Sequence, residues 1–232
     1  MSRFCLSFTE KALFLRWIIK DMEIASKEPS LFYPTRVLVW RLEEEAPRLL
    51  SLCREAVIDV KDLATLPVKR QREKAAERLL LRHAFGNPVS LSYTEQGAPY
   101  IEGCDVNISI THTPQLVAIA LNDEHIIGID AEQMDRGQVL KVRNKFLNVA
   151  EQQHIAPDNL AAHVMAWTAK EAVIKATRDS AIDWTDGICL EPFVPNAVET
   201  TFTARCRGRI YRLTSRPVEG HYVTVAVETP PE

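Results

Sequence analysis

No run of roughly 20 apolar residues, the length a membrane-spanning helix needs, occurs in this 232-residue chain. The stretch nearest to one, Ala12–Ile19, is interrupted by Arg16 and preceded by Glu10 and Lys11, and no small-residue cleavage site follows it. The chain also lacks any Cys-x-x-Cys pair: Cys5, Cys53, Cys104, Cys189 and Cys206 are scattered and odd in number. That excludes the usual zinc and thiol-exchange motifs and fits reduced, mostly buried thiols in a cytoplasmic protein. Strong net charge is missing too, since 28 Lys and Arg against 31 Asp and Glu leave −3. Nothing in that balance would condense on nucleic acid, so any basic site must be local. Finally there is no Gly-x-x-x-x-Gly-Lys-Ser/Thr phosphate loop, no sequence repeat and no low-complexity linker.

What is present is an ordinary soluble composition, 46% apolar and 25% charged. This length suits one large domain or two of roughly 100 residues. Residues 1–30 read as an amphipathic N-terminal extension, packed on the domain or left loose, with translation starting at Met1 or Met22. Thr35–Leu42 has the β-branched and aromatic content of a first strand. Leu49, Leu50, Cys53, Ala56 and Val57 then fall at helical spacing, and two helices are expected between Ala46 and Phe85, divided near Thr65-Leu-Pro67. Gly86-Asn-Pro88 stops the second. Short strands follow at Val89–Tyr93, Asn107–Ile110, Leu116–Leu121 and Ile126–Ile129, with a turn at Gln96–Pro99 and a hairpin loop at Asn122–His125. The second part again places helices, Val139–Phe146 and Leu160–Thr177, before strands, Thr200–Arg205, Arg209–Thr214 and Tyr222–Val227. The expected fold class is α+β: two similar halves, 31–123 and 124–232, in a pseudo-two-fold arrangement, each a small antiparallel sheet against helices.

Three segments carry the candidate chemistry. In Gly128-Ile-Asp-Ala-Glu132 an apolar strand ends at Asp130, and Asp130 and Glu132, two apart, point the same way and could share one hard cation. Alone, such a pair is more often a solvated strand edge. On the Leu160–Thr177 helix, Trp167, Glu171 and Lys175 fall at i, i+4 and i+8 with Lys170 adjacent, sharing a broad face. A Glu171–Lys175 surface pair with Trp167 in the core explains that spacing equally well. In Asn107–Thr113 a strand runs into a hydroxyl-rich turn, where Thr111, His112, Thr113 and free backbone N–H groups would make a phosphate cradle. A lone histidine beside a strand is also commonly just a satisfied polar residue.

The order of these segments resembles the 4′-phosphopantetheinyl transferase superfamily, and among its members the larger, single-chain Sfp type. The resemblance rests on Thr111-His112-Thr113 for the family's histidine motif, Gly128 to Glu132 for its Gly-Ile-Asp-x-Glu motif, and Trp167 to Lys175 for its Trp-x-x-Lys-Glu-Ala-x-x-Lys motif. Its Gly-Lys-Pro element is matched only as Gly97-Ala98-Pro99, without the lysine.

The resemblance implies transfer of the 4′-phosphopantetheine arm of coenzyme A to a serine of an acyl, polyketide or peptidyl carrier protein, releasing adenosine 3′,5′-bisphosphate. It implies Mg²⁺ on Asp130, Glu132 and Glu171. Glu171 is then the first candidate for general base and Glu151 the second, and a metal-bound Glu171 would be a weakened base. Lys175 would meet the pyrophosphate. His112, Thr111, Lys170, Gly97 and Pro99 would line the coenzyme A site, with Arg70 or Arg72 on the 3′-phosphate. A monomer acting in the cytoplasm, without nucleic acid or membrane partners, completes this expectation. The main alternative is a catalytically degenerate relative that binds coenzyme A or a carrier protein, and the second is an unrelated Mg²⁺-dependent phosphotransferase.

Overall fold

A computed structural model describes residues 19–24 and 35–229. Its first sheet contains β1 (Ile19–Ile24), β2 (Thr35–Arg41), β5 (Asn107–Thr113) and β6 (Leu116–Asn122) in the order β1-β2-β6-β5. Helices α1 (Ala46–Glu55) and α2 (Val68–Phe85) and the short hairpin β3 (Leu91–Tyr93) with β4 (Pro99–Ile101) interrupt it in sequence. The second sheet runs β7 (Ile127–Gln133), β11 (His221–Glu228), β10 (Arg209–Val218), β9 (Thr200–Cys206), β8 (Ile188–Leu190). Between β7 and β8 come α3 (Gln138–Lys141), α4 (Val149–His154) and the long α5 (Leu160–Thr177). All strand pairs are antiparallel, and the fold class is α+β as the sequence pattern predicts.

Period-two alternation sorts the strand side chains into layers. Leu38 and Trp40 of β2 and Val117 and Ile119 of β6 pack with Leu49 of α1 and Leu79 and Leu80 of α2. On the other face, Val37, Val39, Leu116, Ala118 and Ala120 meet Ile127, Ile129 and Ala131 of β7 and Val223 and Val225 of β11. A third cluster seats α5, through Met165, Ala169 and Val173, on Phe202, Tyr211 and Leu213 of the second sheet. The order of layers is helix, sheet, sheet, helix. Each fully buried large apolar side chain here contributes about 1.5–3 kcal/mol.

Several elements differ from the sequence expectation. The expected N-terminal extension lies mostly outside the described residues; of it, Ile19–Ile24 is an edge strand paired with β2. The expected strand Ile126–Ile129 continues to Gln133, because Asp130 to Gln133 keep pairing with β11 from Thr224 back to His221. Likewise β5 extends through Thr113, so Thr111, His112 and Thr113 sit in a strand opposite Ala118, Val117 and Leu116, not in a turn. The expected helix Val139–Phe146 divides into α3 and a single 3₁₀ turn at Arg143–Lys145.

Helix α5 lies unusually close to β7. A Cβ built on Gly128 would stand 1.9 Å from the Ala172 carbonyl oxygen and 2.7 Å from the Ala176 amide nitrogen. Both obstacles are backbone, so neither can rotate away. Gly128→Ala is therefore expected to destabilise the protein by about 3 kcal/mol or more, beyond ordinary overpacking, measured as a lowered urea midpoint at unchanged slope.

Candidate functional site

The close seating of α5 on β7 brings two sequence-distant segments together. Gly128, Asp130 and Glu132 share the helix-facing side of β7, while Trp167, Glu171 and Lys175 recur every four residues along α5. Asp130, Glu132, Arg136, Trp167, Glu171 and Lys175 line one cavity of about 430 Å³, closed on its other side by Thr111, His112 and Thr113 of β5. Thus both sheets contribute a wall.

Charge is balanced unevenly inside it. Lys175 Nζ donates to Asp130 Oδ1 (2.8 Å) and to the Ile129 carbonyl (2.8 Å). Arg136, which sequence reasoning missed, pairs with Glu132 and lies over the Trp167 ring, 5.0 Å from its centroid. Trp167 itself is wedged against Phe146 and Trp184, so it is both a packing residue and a wall of the cavity. Glu171 accepts no hydrogen bond from the described residues. Burial, and secondly the charge of Asp130, hold its carboxyl above the usual glutamate range, while Lys175 and Arg136 oppose the shift.

Strand β5 closes the cavity through alternate residues. Ser109 Oγ accepts from the Ile129 amide (3.0 Å), Thr111 Oγ1 donates to Asp130 Oδ1 (3.0 Å), and Thr113 Oγ1 bonds His221 Nε2 (2.9 Å). These three hydroxyls tie the edge strand β5 to β7 and β11 of the second sheet, where no shared ladder exists. Thr111–Thr113 thus lie in an edge strand paired on one side with β6, and the two threonine hydroxyls serve Asp130 and His221. His112 points the opposite way, toward α2, with Nε2 3.3 Å from Arg70 Nη1 and Nδ1 3.7 Å from Glu73.

A second cavity of about 450 Å³ adjoins the first and shares Ile110, His112 and Lys175 with it. Arg70, Gly97 and Pro99 line it, and so do Lys74, Tyr93 and Arg178, which carry no signal in the sequence. Gly97 takes φ 81 at the turn, a conformation glycine adopts freely. Lys74 joins Glu77 (2.9 Å) and the Tyr93 hydroxyl (2.5 Å) across this wall.

Three expected site residues stand elsewhere. Glu151 is buried: Oε2 accepts from the Asn148 amide (2.8 Å) and Lys170 Nζ (2.7 Å), and Oε1 accepts from the Leu190 amide (2.8 Å). It completes a capping box with Asn148 at the start of α4, so it has no free oxygen to offer as a base. Lys170 is fully buried, also donates to the Trp184 (2.7 Å) and Ile188 (2.9 Å) carbonyls, and lines neither cavity. Burial pulls its ammonium below the usual lysine range, against the attraction of Glu151. Arg72 ties α2 to the segment after β2 through the Glu44 (2.9 Å) and Leu42 (3.0 Å) carbonyls and lines neither cavity.

The metal set needs the same scrutiny. Among the described residues no group of three His, Cys, Asp or Glu side chains stands close enough together to hold an ion. Lys175 and Arg136 explain this, since they draw Asp130 and Glu132 to themselves. The donors are nevertheless hard oxygens, and Glu171 faces the charge of Asp130 at a raised pKa, a repulsion a cation would relieve. Mg²⁺ commonly takes only one or two carboxylates plus substrate phosphates, which Asp130 and Glu171 can supply.

The Lys170–Glu151 pair generates a stability prediction. Lys170→Met would leave the Glu151 carboxylate buried beside an apolar group and is expected to cost about 3–5 kcal/mol in urea unfolding. Glu171→Gln, at the cavity surface, should change stability by less than about 1 kcal/mol.

Among the described residues no helix is long and apolar enough to cross a membrane. No curated protein matches the chain. Residues 126–226, from just before β7 into β11, match the family model of the 4′-phosphopantetheinyl transferase superfamily.

Proposed function

We propose that this protein transfers the 4′-phosphopantetheine group of coenzyme A to a serine hydroxyl of an apo acyl, polyketide or peptidyl carrier protein. The observation that carries this reading is the pair of adjoining cavities. One bears Asp130, Glu132 and Glu171, the other Arg70, Lys74 and Arg178, and His112 and Lys175 stand on their border. A pyrophosphate-bridged nucleotide needs that sequence of environments: cations along the nucleotide, and an acidic, metal-accepting patch at the reacting phosphorus. The family match over residues 126–226 supports the same chemistry.

In the reaction the serine oxygen bonds to the phosphorus that carries pantetheine, and the bond from that phosphorus to the bridging oxygen breaks. Adenosine 3′,5′-bisphosphate leaves with the bond's electrons. Asp130 and Glu171 would hold Mg²⁺, which would neutralise charge on the pyrophosphate; Glu132 remains engaged by Arg136. Lys175 and His112 orient the pyrophosphate, and such positioning carries most of the catalysis in phosphoryl transfer. Proton removal falls to Glu171, the cavity carboxylate to which no basic side chain among the described residues donates a hydrogen bond. It would take the proton directly or through a water, and a bound cation would lower its basicity. The chain supplies both walls of the cleft, which suits a monomer.

The test is incubation with coenzyme A, Mg²⁺ and an apo carrier protein, read by mass spectrometry as addition of the phosphopantetheine group. Asp130→Ala and Glu171→Gln should each lower the rate by about 10²-fold or more while the protein stays folded, and a chelator should stop transfer. Coenzyme A binding without transfer across several carriers would favour a degenerate relative, a reading to which the Lys175–Asp130 pair also lends itself.

A further inference from the structure

In the second cavity nearly every charged side chain is already matched. Arg70 donates to Glu73 (2.8 Å), Lys74 to Glu77 (2.9 Å), Lys175 to Asp130 (2.8 Å), and Asp179 pairs with Arg207 (2.5 Å). Arg178 is the exception. It is exposed, lines this cavity and not the first, and its side chain has no hydrogen bond or ion pair among the described residues.

Its backbone sharpens the point. Arg178 closes α5 with φ 57, the left-handed conformation that helix ends usually give to glycine. A residue with a Cβ adopts it at a cost that glycine would not carry. The turn itself therefore does not call for an arginine. Across the cavity, the turn Gln96 to Pro99 offers no cation of its own, since Ala98 stands between Gly97 and Pro99.

Position then limits the ligand group. Lys175 borders both cavities, and Arg178 lies three residues further along the chain, in the second cavity alone. If the pyrophosphate lies at the border, the one anion left on coenzyme A is the phosphate on the adenosine 3′-oxygen. Arg72 is occupied by two carbonyls and Arg70 by Glu73, whereas the guanidinium fork of Arg178 is free to take a phosphate in two parallel bonds. We propose that Arg178 binds the 3′-phosphate of coenzyme A and makes the protein discriminate coenzyme A from its 3′-dephospho form. This rests on the coenzyme A reading above.

Calorimetric titration of the full chain with coenzyme A and with 3′-dephospho-coenzyme A tests it, using wild type and Arg178→Gly. Glycine suits the left-handed position, so the variant should fold, as its melting temperature will report. Coenzyme A should bind Arg178→Gly about tenfold more weakly than wild type, the size expected for loss of one charge-assisted contact. The dephospho form should bind both proteins equally. Unchanged coenzyme A affinity in the variant would overturn the proposal, and so would equal weakening toward both ligands. Wild type that binds neither ligand would instead overturn the coenzyme A reading itself.

Discussion

The site depends on how closely a helix can approach a strand. Seating α5 on β7 leaves no room for a Cβ at residue 128, where the nearest atom would be a backbone carbonyl of the helix. Alanines at 172 and 176 on the facing side complete the fit. That proximity, more than any single hydrogen bond, lets carboxylates of a strand and of a helix open into one cavity. It also lets Lys175 reach the Ile129 carbonyl and Asp130 together. Glycine at this position is thus part of the geometry of the cavity.

Around that contact, electrostatics divides the carboxylates by role. Glu132 and Asp130 are held by Arg136 and Lys175, while Glu171 keeps an elevated pKa beside Asp130. Glu151, a fourth carboxylate, lies outside the cavity and is wholly consumed by structure, receiving two amides and an ammonium. The same residue type therefore serves as scaffold or stays open to the cavity according to how many donors converge on it.

Much of this was legible in the chain. Asp130 and Glu132 two apart on a strand, and Trp167, Glu171 and Lys175 four apart on a helix, were assigned to single faces by periodicity alone, and the structure opens those faces into one cavity. Lys170 does not share the cavity face because adjacency in sequence is not adjacency on a helix: neighbouring residues differ by about 100° in direction. It consequently points at Glu151 and the carbonyls near β8. For Glu151 a signal was present, since Asn148-Val-Ala-Glu151 has the spacing of a capping box and announces a glutamate already engaged. The threonines of β5 suggest a turn because hydroxyl-rich segments often form one. Their strand continues since pairing with β6 outweighs that local preference. Lys74, Arg136 and Arg178 had no sequence signal, because their roles arise from cavities that form only when the sheets and helices meet.

The seam of hydroxyls between β5 and the second sheet acts as a gauge. A backbone ladder can slip by a residue and still satisfy its amides, but a seam of Ser109, Thr111 and Thr113 cannot. A slip of one would present Ile108, Ile110 and His112 to β7, leaving the Asp130 carboxylate against hydrocarbon and turning His112 away from the shared edge of the two cavities. The alignment of the cleft's two walls is therefore written in the identity of three small polar residues, and an insertion among them would misregister the cleft while leaving each sheet able to form.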